Sequence, residues 1–310
     1  MNRWYLLIVT LWLSASVLSG CAASQPSASD GKLRVLVTTG QVADAVRNIG
    51  GEHVALTALL GPGIDPHTYV ATESDIFALQ EAQVIFYNGL HLEAQMARVF
   101  EEIAASGKIT VVSLGDRLDP ERLLAWQGGE KAHDPHIWND VQLWKQAIAA
   151  IGSTLAQVDP ANAADYAANL NAYTQELDAL DSYIHNQVAN IPAEKRVLLT
   201  AHDAFGYFGR AYGIEVEAVQ GISTQAEAGT ADIQALAKLI VERQIPAVFV
   251  ESTISPRTIE AVQAAVQAAG FNVKLGGQLY SDALGEVGSG ADTYVTMMRH
   301  NIDTFVSAMR

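Results

Sequence analysis

Short apolar runs alternate with amphipathic stretches along the first third of the chain. Leu33 to Thr38, Val54 to Leu60, Val84 to Tyr87 and Ile109 to Ser113 read as strands. Between them, Val42 to Ile49, Glu73 to Ala82 and Leu92 to Ala105 repeat apolar residues at helical spacing, with Gly50-Gly51 and Gly107 as stops. Buried strands separated by amphipathic helices predict βα units on a mainly parallel sheet. The pattern resumes after Pro192, with strands expected at Arg196 to Thr200, Ile214 to Val219, Ala247 to Val250 and Asn272 to Leu275. Asp232 to Arg243 places Ile233, Leu236, Ala237, Ile240 and Val241 on one helix face, suited to packing on a sheet.

The middle of the chain differs. Asp159-Pro160 is a good helix start, an acidic cap before a first-turn proline. Tyr166, Leu170, Tyr173, Leu177, Leu180, Ile184 and Val188 then recur every three or four residues until Ile191-Pro192. One unbroken helix there would be roughly 45 Å long, far more than a sheet-packing helix needs. A rigid strut joining two α/β lobes accounts for it; two helices with a hidden bend is the other reading, and no internal Gly or Pro marks such a bend. The expected fold is therefore α/β, two lobes with mainly parallel sheets joined by one long helix. The boundaries expected are an N-terminal lobe over 32–158, a linking helix over 159–191 and a C-terminal lobe over 192–310.

The N-terminus sets the compartment. Arg3 precedes an apolar stretch, Trp4 to Val17, too short to span a bilayer comfortably. It closes on Leu18-Ser19-Gly20-Cys21, the pattern of a lipoprotein signal cleaved before a lipidated cysteine. Residues 1–20 are read as signal peptide, Cys21 as the lipidation site and 21–31 as a flexible tether. Cys21 is the chain's only cysteine, so no internal disulfide forms and thiolate is removed from the pool of metal ligands. The expected product is extracytoplasmic and anchored to the cell membrane. The net charge of −15 becomes −16 once Arg3 leaves with the signal, which disfavours nucleic acid and mildly favours cations.

Eight histidines occur, in unlike settings. His67 ends Gly61-Pro62-Gly63-Ile64-Asp65-Pro66-His67, a stiff loop after a strand, and His136 follows the same Asp-Pro pair in Asp134-Pro135-His136. His202 comes one step past the strand ending at Thr200-Ala201, and Asp282 lies just beyond the last expected strand. Ligands bind beyond the carboxyl ends of strands in open α/β sheets. If the lobes face each other, these four meet in the cleft, and three imidazoles with one carboxylate suit a borderline dication. His133 would join them as an i, i+3 ligand in a helix, but Pro135 argues against a helix there, so His133 is read as an exposed loop residue, feeding metal to the site being the lesser reading. Glu251, at the end of Val248-Phe249-Val250, is a candidate acceptor behind the ligands, a plain salt bridge being the other reading. His53, His91, His185 and His300 have surface or packing readings.

Several separated motifs now fall into order: Asp65-Pro66-His67-Thr68-Tyr69, Asn88-Gly89-Leu90, Asp134-Pro135-His136-Ile137-Trp138, Ala201 to Gly213, and Gly276 to Asp282. Together they resemble the zinc/manganese-specific solute-binding proteins of ABC importers, the TroA and ZnuA type. The resemblance covers Lys32 to the C-terminus. It implies two α/β lobes on a long rigid helix, with the metal between them on His67, His136, His202 and Asp282. It also implies a protein that captures Zn2+ or Mn2+ as transported cargo and passes it to an ABC permease with its ATPase subunit, without bond chemistry. A monomer is expected. A histidine at 202 resembles the zinc binders, since many manganese members carry glutamate there; yet Asp116 to Lys131 is short and lacks the histidine-rich loop typical of ZnuA. Val70-Ala71 replaces the acidic residue and proline often seen after the first ligand. Both metals stay open. A strut would limit wide hinge motion, so loading and release are expected to use local loop rearrangement and a modest lobe shift. The other function classes are an exported metal-dependent hydrolase working in the same cleft, for which no signature occurs, and a surface adhesin.

Overall fold

The computed structural model describes residues 31–126 and 132–310. The signal, Cys21 and nearly all of the tether lie outside the described residues. Among the described residues, no helix is long and apolar enough to cross a membrane.

In the N-terminal lobe β1 (Leu33–Val37), β2 (Val54–Ala58), β3 (Val84–Tyr87) and β4 (Thr110–Ser113) form one parallel sheet in the order β2-β1-β3-β4. Both faces are covered, which is why its strands read as continuous apolar runs. Val35, Val37, Val84 and Phe86 face the main core. Leu36 and Ile85, on the opposite face, pack with Leu79, Met96 and Phe100 from α2 (Glu73–Glu81) and α3 (Ala97–Ala105) and the turn before α3. The helix expected to begin at Leu92 opens instead with a 3-10 turn at Ala94–Met96. α1 (Gly40–Gly50) starts on Thr39, whose hydroxyl accepts from Val42 N–H, and α2 on a Thr72/Asp75 capping box.

The next helix, α4 (Val141–Val158), is not among the elements expected from periodicity. Asp140 caps it, accepting from Leu143 N–H, and its Leu143, Trp144, Ala147, Ile148, Ile151 and Leu155 are buried. The long helix follows as α5 (Ala163–Val188), 26 residues. Asp159-Pro160 opens a 3-10 turn, Pro160–Asn162, rather than the α-helix itself. Asp159 spends its carboxylate on Asn162 Nδ2 and Tyr166 OH, both 2.7 Å away, so it ties the turn to the helix without capping it. The strut is thus shorter than expected at both ends, and one face is buried along its length through Tyr166, Tyr173, Leu177, Leu180, Ile184 and Val188.

The C-terminal lobe carries β5 (Val197–His202) paired with β6 (Glu215–Gln220), and β7 (Ala247–Glu251) paired with β8 (Lys274–Leu279), both parallel. β8 begins two residues later than expected and runs on to Leu279 through Gly276-Gly277, whose lack of side chains hides a strand from an apolar-pattern reading. α6 (Gly206–Tyr212), α7 (Thr230–Arg243), α8 (Arg257–Ala268) and α9 (Tyr294–Met309) complete the lobe. α5 joins the lobes by holding each with a different half. Tyr173 OH donates to Asp44 Oδ2 of α1 at 2.8 Å, while farther along Tyr183 OH donates to Asp303 Oδ1 of α9 at 2.7 Å.

Candidate metal centre

The site grows from four chain segments. His67 lies in the loop between β2 and α2, where Gly63 adopts φ +72°, a conformation L side chains rarely take. Asp65 Oδ1 accepts the His67 N–H at 2.9 Å, so the aspartate two residues back folds the loop over the proline. The second Asp-Pro-His turn repeats this bond: Asp134 Oδ1 accepts from His136 N–H at 2.9 Å. Here the same oxygen also lies 2.7 Å from His136 Nδ1 and fixes the ring, leaving Nε2 free. Asn88, at the end of β3, donates to Pro135 O at 2.9 Å and Tyr207 OH to Asp134 O at 2.8 Å.

His202 is the last residue of β5 rather than the first after it, since the ladder continues to the pair His202–Gln220. Glu251, the last residue of β7, reaches across: its Oε1 accepts from the N–H groups of Ala201 and His202 at 2.8 and 2.9 Å, and its Oε2 is 2.5 Å from His202 Nδ1. Glu251 thus lies directly behind the candidate ligand His202. Asp282 lies three residues past β8, next to Tyr280, whose N–H and C=O are both bonded by the Asn301 side chain of α9.

These segments bring His67, His136, His202 and Asp282 together with one ligand atom each inside 4.8 Å, and all four are buried. His67 Nε2 is 3.2 Å from His136 Nε2, His136 Nε2 is 3.5 Å from Asp282 Oδ1, and Asp282 Oδ2 is 3.2 Å from His202 Nε2 and 3.9 Å from His67 Nε2. A four-coordinate ion with bonds near 2.0–2.1 Å holds its ligands about 3.3 Å apart, so the spacing fits one dication. Both Asp282 oxygens and His202 Nε2 are buried without a hydrogen-bond partner. Buried polar atoms without a well-aligned partner, converging on one point, are what a cation site requires.

The electrostatics agree. Burial, aided by the neighbouring imidazoles, lowers the His67 pKa to about 4 against the pull of Asp282, so the ring is neutral across the physiological range. Burial also acts to lower His202, but the carboxylates of Glu251 and Asp282 outweigh it and raise that ring well above its ordinary value. Burial pushes Asp282 up, yet His202 first, then His136 and His67, hold it well below the usual carboxylate range. The carboxylate is charged and waiting for positive charge.

The remaining histidines stand apart. His91 and His133 line a separate cavity of about 250 Å³ with Glu93, Glu101 and Asp116. His133 is half-buried and pairs with Ala125 in an isolated bridge, correcting the expectation of an exposed loop residue. His53 meets Asp165 at 2.8 Å and His300 meets Gln278 O at 2.9 Å. Residues that patterning did not single out support the ligands. Trp138 Nε1 donates to Ser281 O at 2.9 Å and Asn139 Nδ2 to Ala204 O at 2.8 Å, tying the His136 turn to the segments beside Asp282 and His202. Of the supporting residues, the sequence points to Glu251 as an acceptor and to the Asp-Pro pairs as stiff turns; the aspartates' bonds to the histidine N–H groups come from the fold.

Comparison with known proteins agrees with this geometry. Residues 35–308 match the family model described as the zinc-uptake complex component A, periplasmic. The chain is 46% identical to the zinc-binding protein TroA of Treponema pallidum over 92% of each chain. It is 41% identical to the manganese-binding lipoprotein MntA of Bacillus subtilis over 98% of this chain and 99% of that one. The crystal structure of the Treponema pallidum protein superposes with a TM-score of 0.87, covering 90% of this chain and 99% of the other.

Proposed function

This chain belongs to the zinc-uptake component A family of solute-binding proteins, and from that premise we propose that it captures zinc or manganese outside the cytoplasm for an ABC importer, on His67, His136, His202 and Asp282. The observation that carries the reading is the convergence of three imidazoles on a buried carboxylate whose two oxygens have no protein donor. Four protein ligands complete a closed coordination set, suited to holding an ion rather than to leaving a position for substrate. Relatives named for zinc and for manganese are both close, and three nitrogen donors with one carboxylate accommodate either ion.

Loading uses the chain's own charges. Asp282 supplies the fixed negative charge, His67 arrives neutral, and the proton on His202 leaves as the ion enters, with Glu251 keeping Nδ1 turned away so that Nε2 coordinates. The lipobox at Cys21 supports anchoring to the membrane that holds the permease, and the acidic composition fits a cation carrier. The proposed boundaries are an N-terminal lobe over 32–158, a connector over 159–191 whose helical strut is Ala163–Val188, and a C-terminal lobe over 192–310. Uptake tests the reading. Bacteria carrying the permease but lacking this chain should regain accumulation of radioactive zinc or manganese with wild-type protein and not with Asp282→Ala. Equal accumulation with both would overturn it.

A further inference from the structure

The four ligands are not held alike. His136 has Asp134 on its ring and Trp138 and Asn139 fastened to the opposite lobe; His202 has Glu251; Asp282 is flanked by the bonded Tyr280 and Ser281. His67 has no carboxylate bracing its ring: within hydrogen-bond reach, its Nε2 meets only another ligand. Its loop is held across the cleft instead. Thr224 Oγ1 donates to Asp65 Oδ2 at 2.6 Å, and Gln225 Nε2 donates to His67 O at 3.1 Å. Both partners come from the turn after β6, whereas Thr68, within the loop, donates to Asp65 Oδ2 from this side at 3.0 Å.

Resting on the metal-capture reading, we propose that Thr224 and Gln225 are a latch that sets how fast the ion leaves. They act through the backbone and carboxylate of the loop bearing His67 and touch no metal. With the latch closed, His67 completes the coordination set against three ligands already fixed by the fold. With it open, the His67 loop alone can swing away, and the ion is left on three ligands open to water. The two hydrogen bonds are half-exposed and connect the lobes at the cleft rim, so they are the contacts a docking permease can replace without disturbing the core. A hydrogen bond of this kind contributes a factor on the order of ten or less, which is enough to govern a rate and too little to hold the fold. Because the latch acts once the ion is seated, its loss should appear in dissociation rather than association.

The experiment compares wild type, Thr224→Val/Gln225→Ala and Thr224→Ser after loading with zinc. Dissociation is followed in stopped flow against excess chelator, with association rate, stoichiometry and metal-free melting temperature measured alongside. The expected result is dissociation faster by about tenfold in the double variant, with one ion per chain, an unchanged association rate and an unchanged metal-free melting temperature. Thr224→Ser keeps the hydroxyl and should release at the wild-type rate. Zinc-loaded double variant releasing at the wild-type rate overturns the latch alone. A wild type that takes up no ion overturns the capture reading beneath it.

Discussion

The tripeptide Asp-Pro-His occurs twice, and the two copies put the same atoms to different uses. In both, the aspartate accepts the histidine N–H at 2.9 Å, so the backbone turn is one design. In Asp134-Pro135-His136 the carboxylate then turns inward to the imidazole Nδ1. In Asp65-Pro66-His67 it turns outward, to Thr68 and to Thr224 of the other lobe. The difference follows from what each turn abuts. The second turn is held by its backbone carbonyls to Asn88 and Tyr207 and lies beside the Trp138 anchor, buried, with its carboxylate against its own histidine. The first sits at the cleft rim, where hydroxyls are within reach. On the proposed reading, one motif therefore supplies a braced ligand at His136 and a releasable one at His67.

Removing the two rings should separate them most. Binding of ~10–16 kcal/mol shared among four ligands gives each about 3–4 kcal/mol. His136→Ala should then weaken zinc binding roughly thousandfold, and His67→Ala, where water can enter as the loop moves aside, nearer to a hundredfold. Competition titration against a chelator of known affinity reads both, and equal losses would break the distinction. Next, Asp134→Ala strips the brace from the inward turn and leaves a buried Nδ1–H without acceptor. A loss of about 10–100-fold in affinity is expected, mirrored by no comparable equilibrium effect from Asp65→Ala.

Acidity sharpens the contrast between braced and unbraced rings. His67, lowered to about 4, releases no proton on binding above pH 5. His202 is raised, so its stabilising charge in the metal-free fold is fully present below the unfolded value near 6.5 and is lost as pH rises through its folded pKa. An ion must displace that proton, and zinc affinity should rise about tenfold per unit from pH 6 toward 8. Calorimetry in buffers of differing ionisation enthalpy counts the proton; Glu251→Gln should reduce the count, and an unchanged count would place the proton elsewhere. The smallest effect belongs to Asp65→Ala, which removes the Thr224 tie but not the Gln225 one: release should quicken by about threefold to tenfold in the stopped-flow assay.

Much of this was legible before the fold was known, because the strands are buried on both faces and the ligands follow them. β3 is expected and found over the same residues, and the long helix shows in a stripe running from Tyr166 to Val188. α4 was passed over although its Val141, Trp144, Ala147, Ile148, Ile151 and Leu155 do recur at helical spacing, so that helix was legible in the chain and was not read. Gly276-Gly277 hid β8 by having no side chains to form a pattern. The four candidate ligands are singled out by stiff Asp-Pro turns at His67 and His136 and by places at or beyond strand ends at His202 and Asp282. Other supports are not: Thr224, Gln225, Trp138 and Asn139 act through contacts between residues far apart in sequence, and only the folded chain makes those neighbours.

The most direct test is calorimetric titration of zinc, and separately manganese, onto metal-stripped protein beginning at Lys32, beside the same protein carrying His202→Ala. One ion bound tightly per wild-type chain, and no tight binding by the variant, is the predicted result. Wild-type protein that binds neither ion, or a variant that binds as tightly as wild type, would contradict the assignment of these four side chains as the metal site.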